Sequence, residues 1–285
     1  MNKYFVASDI HGFYSELLLA LVNKGFDVCN KEHVLISLGD EFDRGNQAVE
    51  LLQFLQQLKE QNRLILILGN HEDLMFDCLS QINTYRMVLG SHHYSNGTVD
   101  TISQFTNDIE IAHKLNYWQE LSDSEIKKIN KAMMLWKDFV KDAKSYAEIG
   151  DYIFVHGWIP TKKEKTDPFE KRKLSYLTGW RELNTDSEDW KNARWTGFVE
   201  AYKNKCFEPN KTIVCGHWHC SAYWGDIKHE RKPFPEKNRS DWKKSFEPAI
   251  TTEFIAIDGC TVYSGIVNVL VFEEVSKNRI ELLDL

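Results

Sequence analysis

The sequence predicts an α/β fold with a parallel sheet and a ligand at the sheet's carboxyl edge. Two observations predict it. Short, almost continuous apolar runs alternate with segments of helical spacing over residues 4–68, and each of the three runs leads at once into a polar cluster: SDIHG, then GDEFDRG, then GNHED. In open α/β sheets the loops leaving the carboxyl ends of the strands form the ligand crevice.

The elements follow in order. Residues 4–8 read as a strand, residues 13–24 as a helix closed by Gly25, and residues 33–38 as a second strand. Residues 47–60 have helical spacing, and residues 63–68, RLILIL, make a third apolar strand. From about residue 74 to 146 the strand pattern vanishes. Segments such as DSEIKKINKAMMLWKDFVKDAKSY have helical spacing after an Asp/Ser start, so this stretch reads as a helical insertion in a single domain spanning residues 1–285. Strands return at residues 152–155, 212–215, 253–257 and 266–272, the last two in hairpin-like company. Residues 162–173 and 228–244 read as long surface loops.

Composition bounds the function. At 285 residues, 42% hydrophobic and 13% aromatic, the chain suffices for a sizeable core. Thirty-five basic against 42 acidic residues leave a net charge of −7, which argues against broad adhesion to nucleic acid or an anionic membrane, although a local basic patch stays open. The six cysteines form no CxxC pair, consistent with reduced thiols in a cytoplasmic protein. The opening MNKYFVASD enters a strand without the apolar stretch of a signal peptide or membrane span.

The second cluster poses the sharpest question. Asp40, Glu41 and Asp43 crowd three carboxylates beside Arg44 at the tip of an apolar strand, where like charges repel and desolvation is costly. Either the turn is solvated or the carboxylates hold a cation. Four other strand ends carry the same kind of chemistry: Asp9 and His11, Asn70 and His71, His156, and His217 with His219. Singly, each could be a helix cap or an ordinary polar residue. Together, oxygen and imidazole donors without thiolates suit a pair of divalent cations better than a structural zinc site.

SDIHG, GDEFDRG, GNHE, VHGW and GHWH, in that order, resemble the five signature motifs of the calcineurin-like metallophosphoesterases, more narrowly their serine/threonine phosphatase branch. The resemblance implies a two-sheet sandwich flanked by helices and the hydrolysis of a phosphoester by a hydroxide bridging two metal ions. By it, Asp9 and His11 bind one metal, Asn70, His156 and His217 bind the other, and Asp40 bridges them. Manganese, iron and zinc all fit these donors. Arg44 then binds phosphate oxygens, His71 protonates the leaving oxygen, and Asp43 orients His71. Glu41 is read as solvated and Glu72 as a support for its turn.

Three departures bear on the substrate. Ser8 stands where Gly is usual, which is tolerable if the backbone there keeps a negative φ. His219, two residues beyond His217, matches the nuclease and phosphodiesterase branches, where the second histidine binds the first metal, and it is carried over here as a ligand. CGHW and AIDGCTVYSG resemble the bacterial symmetrical diadenosine tetraphosphate hydrolases, although those commonly lack a carboxylate at the position of Asp43 and have Asp where Glu72 stands. The favoured substrate is therefore a phosphomonoester, on a phosphoprotein or nucleotide, with a dinucleoside polyphosphate as the alternative and a catalytically dead scaffold as the non-enzymatic one. Seven of the nine tryptophans lie from Trp158 onward, lining a cleft or packing beneath loops. His92 and His93 fall in a polar stretch without ligand spacing and receive no role.

Overall fold

The computed structural model describes residues 1–164, 173–230, 237 and 241–283. The chain opens as β1 (Lys3–Ala7), α1 (Tyr14–Asn23), β2 (His33–Ser37), α2 (Ala48–Glu60) and β3 (Leu64–Leu66). Helices follow: α3 (Asn70–Tyr85), α4 (Ser91–Ser95), α5 (Thr98–Thr106), α6 (Ile109–Asn116), α7 (Asp123–Ala132) and α8 (Met134–Val140). The remainder comprises β4 (Tyr146–Ile149), β5 (Tyr152–Val155), β6 (Thr161–Glu164), β7 (Lys173–Tyr176), α9 (Glu188–Arg194), α10 (Phe198–Asn204) and β8 (Thr212–Cys215). It closes with β9 (Ala249–Ile250), β10 (Phe254–Ala256), α11 (Thr261–Ser264), β11 (Leu270–Ser276) and β12 (Arg279–Leu282).

Two five-stranded sheets form, in the orders β12-β11-β1-β2-β3 and β4-β5-β8-β10-β9. Within the first, β1, β2 and β3 are parallel, as the sequence predicts; within the second, β5, β8 and β10 are. Side-chain alternation divides the apolar residues into three layers. Val6, Ile36 and Leu38 of the first sheet meet Phe154, Val214 and Ile255 of the second, with Phe154 edge-on to Phe272 at 5.5 Å between centroids. On the outer face of the first sheet, Phe5, Ala7 and Leu35 pack on α1, α2 and the helices after β3. The outer face of the second buries Trp158, Trp180 and Trp190. Both faces of the central strands are covered, which is why their sequences are continuously apolar rather than alternating.

Four local expectations change. The strands near residues 253–257 and 266–272 are not a hairpin: β10 pairs with β8 and β9, whereas β11 pairs with β1 and β12. The intervening α11 carries the chain from one sheet to the other. Within 162–173, β6 and β7 pair antiparallel, while residues 165–172 lie outside the described residues. Within 228–244, residues 231–236 and 238–240 also lie outside them, and Trp242–Phe246 forms a 3₁₀ helix. Finally, β4 begins at Tyr146, where the stretch read as helical ends, and adds a strand that the sequence does not announce; its four residues, YAEI, hold a short edge position.

Candidate metal centre

The five polar clusters converge where the parallel strands of both sheets end. Asp9 and His11 leave β1, Asp40, Asp43 and Arg44 leave β2, Asn70 and His71 open α3, His156 leaves β5, and His217 leaves β8. Asp9, His11, Asp40, Asp43, Arg44 and His217 all adopt left-handed backbone conformations, with φ between 51° and 73°. Such conformations are uncommon outside glycine and concentrate where structure is held for function. Ser8 has no positive φ, so its departure from glycine carries no backbone strain. Its hydroxyl donates to Asp9 Oδ2, and a Cβ on Gly216 would lie 1.8 Å from that hydroxyl, so glycine at 216 leaves room for serine at 8.

Asp40 is the hub. One carboxylate oxygen, Oδ2, lies 3.8 Å from both His11 Nε2 and His71 Nε2, and the other, Oδ1, lies 3.4 Å from His156 Nε2. Ligand atoms of Asp40, His11 and His71 form one group within 4.8 Å, and those of Asp40, His156 and His217 form another. The imidazoles are oriented from behind. His11 Nδ1 lies 3.0 Å from the Phe42 carbonyl and His156 Nδ1 lies 2.8 Å from the Leu38 carbonyl, so each donates there and turns an unprotonated Nε2 toward Asp40. His156 Nε2 then faces Asn70 Oδ1 at 2.8 Å, lone pair against lone pair. A cation between such groups satisfies both, so the donor set fits a bound metal.

Charge and burial agree with this reading. Burial would raise the Asp40 carboxyl, but the surrounding imidazoles of His156, His71 and His11 outweigh it and hold Asp40 well below the usual carboxylate range. Burial, then the neighbouring His156, lowers His217 to about 3, leaving it a neutral donor. Burial also raises Asp9, which accepts the backbone N–H of His217 at 2.9 Å.

His71 is set apart by its partners. Its Nδ1 lies 2.7 Å from Asp43 Oδ2, and burial's downward push on the imidazole is overcome by Asp40 and then by the Asp43 hydrogen bond and charge, so its pKa is raised. Asp43 is itself fixed by the hydroxyls of Thr98 at 2.9 Å and Thr101 at 2.8 Å. The Arg44 fork spans the two imidazoles, 3.0 Å from His11 Nε2 and 3.1 Å from His71 Nε2.

Several supports escaped the sequence reading. Thr98 and Thr101 come from α5, where hydroxyls on a helix carry no signal of their own. Asp258 lies in an irregular segment after β10 and is buried; burial, then the charge of Asp9, raises its carboxyl well above the ordinary range. Glu41 is not solvated. It is fully buried, accepts the Ser37 hydroxyl at 2.7 Å, and is driven well above its ordinary pKa by burial and then by the charge of Glu72. Glu72 takes the buttressing place expected of it, accepting the N–H groups of Gly69 at 2.7 Å and Asp40 at 3.2 Å. His219 joins neither group: its Nδ1 lies 2.6 Å from the Ser221 hydroxyl and its ring stacks on Trp218. Beside His217, the half-exposed Trp195 and Trp218 line a cavity of about 360 Å³ with Glu200, Lys203, Asn204 and Asp226.

A family model described as calcineurin-like phosphoesterase matches residues 3–221. Over 72 residues the chain is 38% identical to a symmetrical bis(5'-nucleosyl)-tetraphosphatase of Buchnera aphidicola, a match covering 25% of this chain and 24% of that protein. Over 95 residues it is 35% identical to serine/threonine-protein phosphatase 2 of Salmonella typhimurium, covering 33% of this chain and 41% of that one. The matches thus span less than half the length of these relatives. Among solved structures, a cold-active protein-tyrosine phosphatase of a psychrophilic Shewanella aligns over 100% of this chain and 81% of its own, with a TM-score of 0.49 and 17% identity. Among the described residues, no helix is long and apolar enough to cross a membrane.

Proposed function

Because the chain belongs to the calcineurin-like phosphoesterase family, whose members use a dinuclear metal centre, we propose that it hydrolyses phosphomonoesters with a poor leaving group, in the manner of the serine/threonine phosphatases. Asp9 and His11 would hold one divalent ion, Asn70, His156 and His217 the other, and Asp40 both. Manganese is the favoured metal, with iron and zinc chemically compatible. When bound, the ions supply Lewis acidity toward the phosphoryl oxygens and toward water.

The remaining chemistry belongs to this chain's side chains. Arg44 presents a planar fork between His11 and His71, suited to two phosphoryl oxygens and to the charge that builds on them. His71 holds a proton at Nε2 for the departing oxygen, while Asp43 accepts from Nδ1 and stabilises the imidazolium. Burial of Asp40, Asp43 and His71 keeps competing water off the pair.

The Asp43–His71 contact of 2.7 Å, braced by two threonine hydroxyls, carries the reading. A carboxylate that keeps an imidazole protonated matters most when the leaving group is a poor one. One observation favours a second reading: the slot lined by Trp195 and Trp218 could stack a base, as a dinucleoside polyphosphate would require. The deciding experiment compares manganese-loaded enzyme on a phosphopeptide, an aryl phosphate, a nucleoside monophosphate and diadenosine tetraphosphate. Preferred hydrolysis of the monoesters supports the first reading; preferred cleavage of the tetraphosphate supports the second. The cysteine pattern of the sequence, without a CxxC pair, supports a reducing compartment for either activity, most simply the cytoplasm.

A further inference from the structure

We propose that Asp77, His92 and His93 form a third divalent-metal site, separate from the centre at Asp40 and suited to a borderline ion such as zinc. The two histidines, adjacent in sequence, lack ligand spacing on any single helix. The third donor comes from a different element. Asp77 lies on α3 and both histidines lie on α4, and their ligand atoms all fall within 4.8 Å of one another.

The donor geometry fits. Asp77 Oδ2 is 2.9 Å from His93 Nε2 and 3.8 Å from His92 Nε2. Bonds of about 2.0–2.1 Å in a tetrahedral zinc site space the ligand atoms about 3.3–3.4 Å apart, between the two observed separations. Asp77 and His92 are each about half exposed and can adjust, whereas His93 is fully buried and fixed. Gly90 makes the pairing of the rings feasible: their centroids are 4.1 Å apart, and a Cβ at 90 would lie 2.4 Å from His92 Cε1.

Hydrogen bonds hold the donors in place. Gln81 has a fixed amide orientation, because its Oε1 accepts the backbone N–H groups of Leu89 at 2.9 Å and Gly90 at 3.2 Å. Its Nε2 therefore donates to Asp77 Oδ2 at 2.8 Å, with His93 Nε2 beside it at 3.2 Å. Asp77 Oδ2 stands 2.9 Å from His93 Nε2, a contact that a proton or a metal ion can bridge. His93 Nδ1 has no hydrogen-bond partner, so the ring's polar engagement lies at its Nε2 edge. With three protein donors, the fourth position stays open to water. The site lies close to the active centre: the His92 carbonyl accepts from Asn96 Nδ2 at 2.9 Å, and Asn96 Oδ1 lies 3.5 Å from Arg44 Nη2.

The test is zinc stoichiometry. Wild type, His92→Gln and Asp77→Asn are dialysed to equilibrium against buffered zinc, and bound metal is measured by elemental analysis, with circular dichroism and aryl phosphate turnover as checks on folding and on the main centre. Wild type is expected to hold one equivalent more than either variant, with turnover in the variants within about twofold of wild type. Equal zinc content in wild type and in whichever variant folds would overturn the site; the two half-exposed positions supply independent tests.

Discussion

Asp43→Asn is the most informative single change. In the native site Asp43 Oδ2 meets His71 Nδ1 at 2.7 Å, with both groups buried, and the pair is braced by Thr98 and Thr101. A hydrogen bond to a charged group is worth roughly 1.5–3 kcal/mol, which at about 1.4 kcal/mol per tenfold corresponds to roughly 10- to 100-fold in rate. Asparagine keeps the shape and can still accept through its carbonyl, so the lower end of that range is expected. His71→Asn removes the acid outright and should cost roughly 10²- to 10⁴-fold.

The pH profile separates this account from a purely structural one. The raised pKa of His71 means that the active imidazolium is present below it and lost as pH rises through it, which sets the basic limb of kcat/KM. Without the Asp43 charge the basic limb should move to lower pH, and the defect should shrink in more acidic buffer. The assay measures kcat and kcat/KM against pH for aryl and alkyl phosphates spanning leaving-group pKa, at fixed manganese and with metal content verified. The defect should be largest for alkyl leaving groups and small for nitrophenolate. A uniform loss across leaving groups with an unmoved basic limb would refute proton donation by His71.

The other predictions concern separate parts of the site. Asp40→Asn should lose two equivalents of metal and more than 100-fold in turnover, because both groups share that carboxylate; elemental analysis showing a full complement would contradict the bridging assignment. Trp195→Ala and Trp218→Ala should raise KM for diadenosine tetraphosphate roughly 10- to 100-fold and leave aryl phosphate unchanged if the slot stacks a base, an outcome that favours the second reading. Gly216→Ala, whose Cβ would lie 1.8 Å from Ser8 Oγ and 2.3 Å from Asp9 Oδ2, should destabilise the fold by about 1–3 kcal/mol in urea melts. Adding Ser8→Gly should recover only part of that loss, since the clash with Asp9 remains, and full recovery would disprove the packing argument.

What was legible in the sequence depended on how local its cause was. The strands of residues 4–8 and 33–38 announce themselves because both faces of each are buried, and the donor residues because they sit directly after those strands. The pairing partners of β10 and β11 were not legible, since which sheet a strand joins is decided by contacts far away in sequence, such as Leu270 opposite Val6. Glu41 misled for a related reason. A carboxylate in a polar turn reads as solvated, and only the fold reveals that Ser37 and Glu72 enclose it. His92 and His93 were dismissed because their third partner, Asp77, lies on another helix.

The positive φ angles connect these observations. Asp9, His11, Asp40, Asp43, Arg44 and His217 leave their strands in left-handed conformations, each costing of order 1 kcal/mol or more, and together they turn the side chains inward to one point. Nothing local favours such turns in arginine, whose side chain cannot bond its own backbone as aspartate can. Here they are held from outside. Gly97, itself left-handed, lets α5 approach so closely that a Cβ at 97 would lie 2.3 Å from the Arg44 nitrogen, and Gly45 lets the loop after β1 approach with equal closeness. The same α5 supplies Thr98 and Thr101 to Asp43. The helical segment between β3 and β4 is therefore part of the machinery that shapes the turn after β2. Disturbing α5 should reach Arg44 and His71 before it reaches the groups around Asp40, His156 and His217, lowering turnover while leaving the second of the proposed metal positions intact.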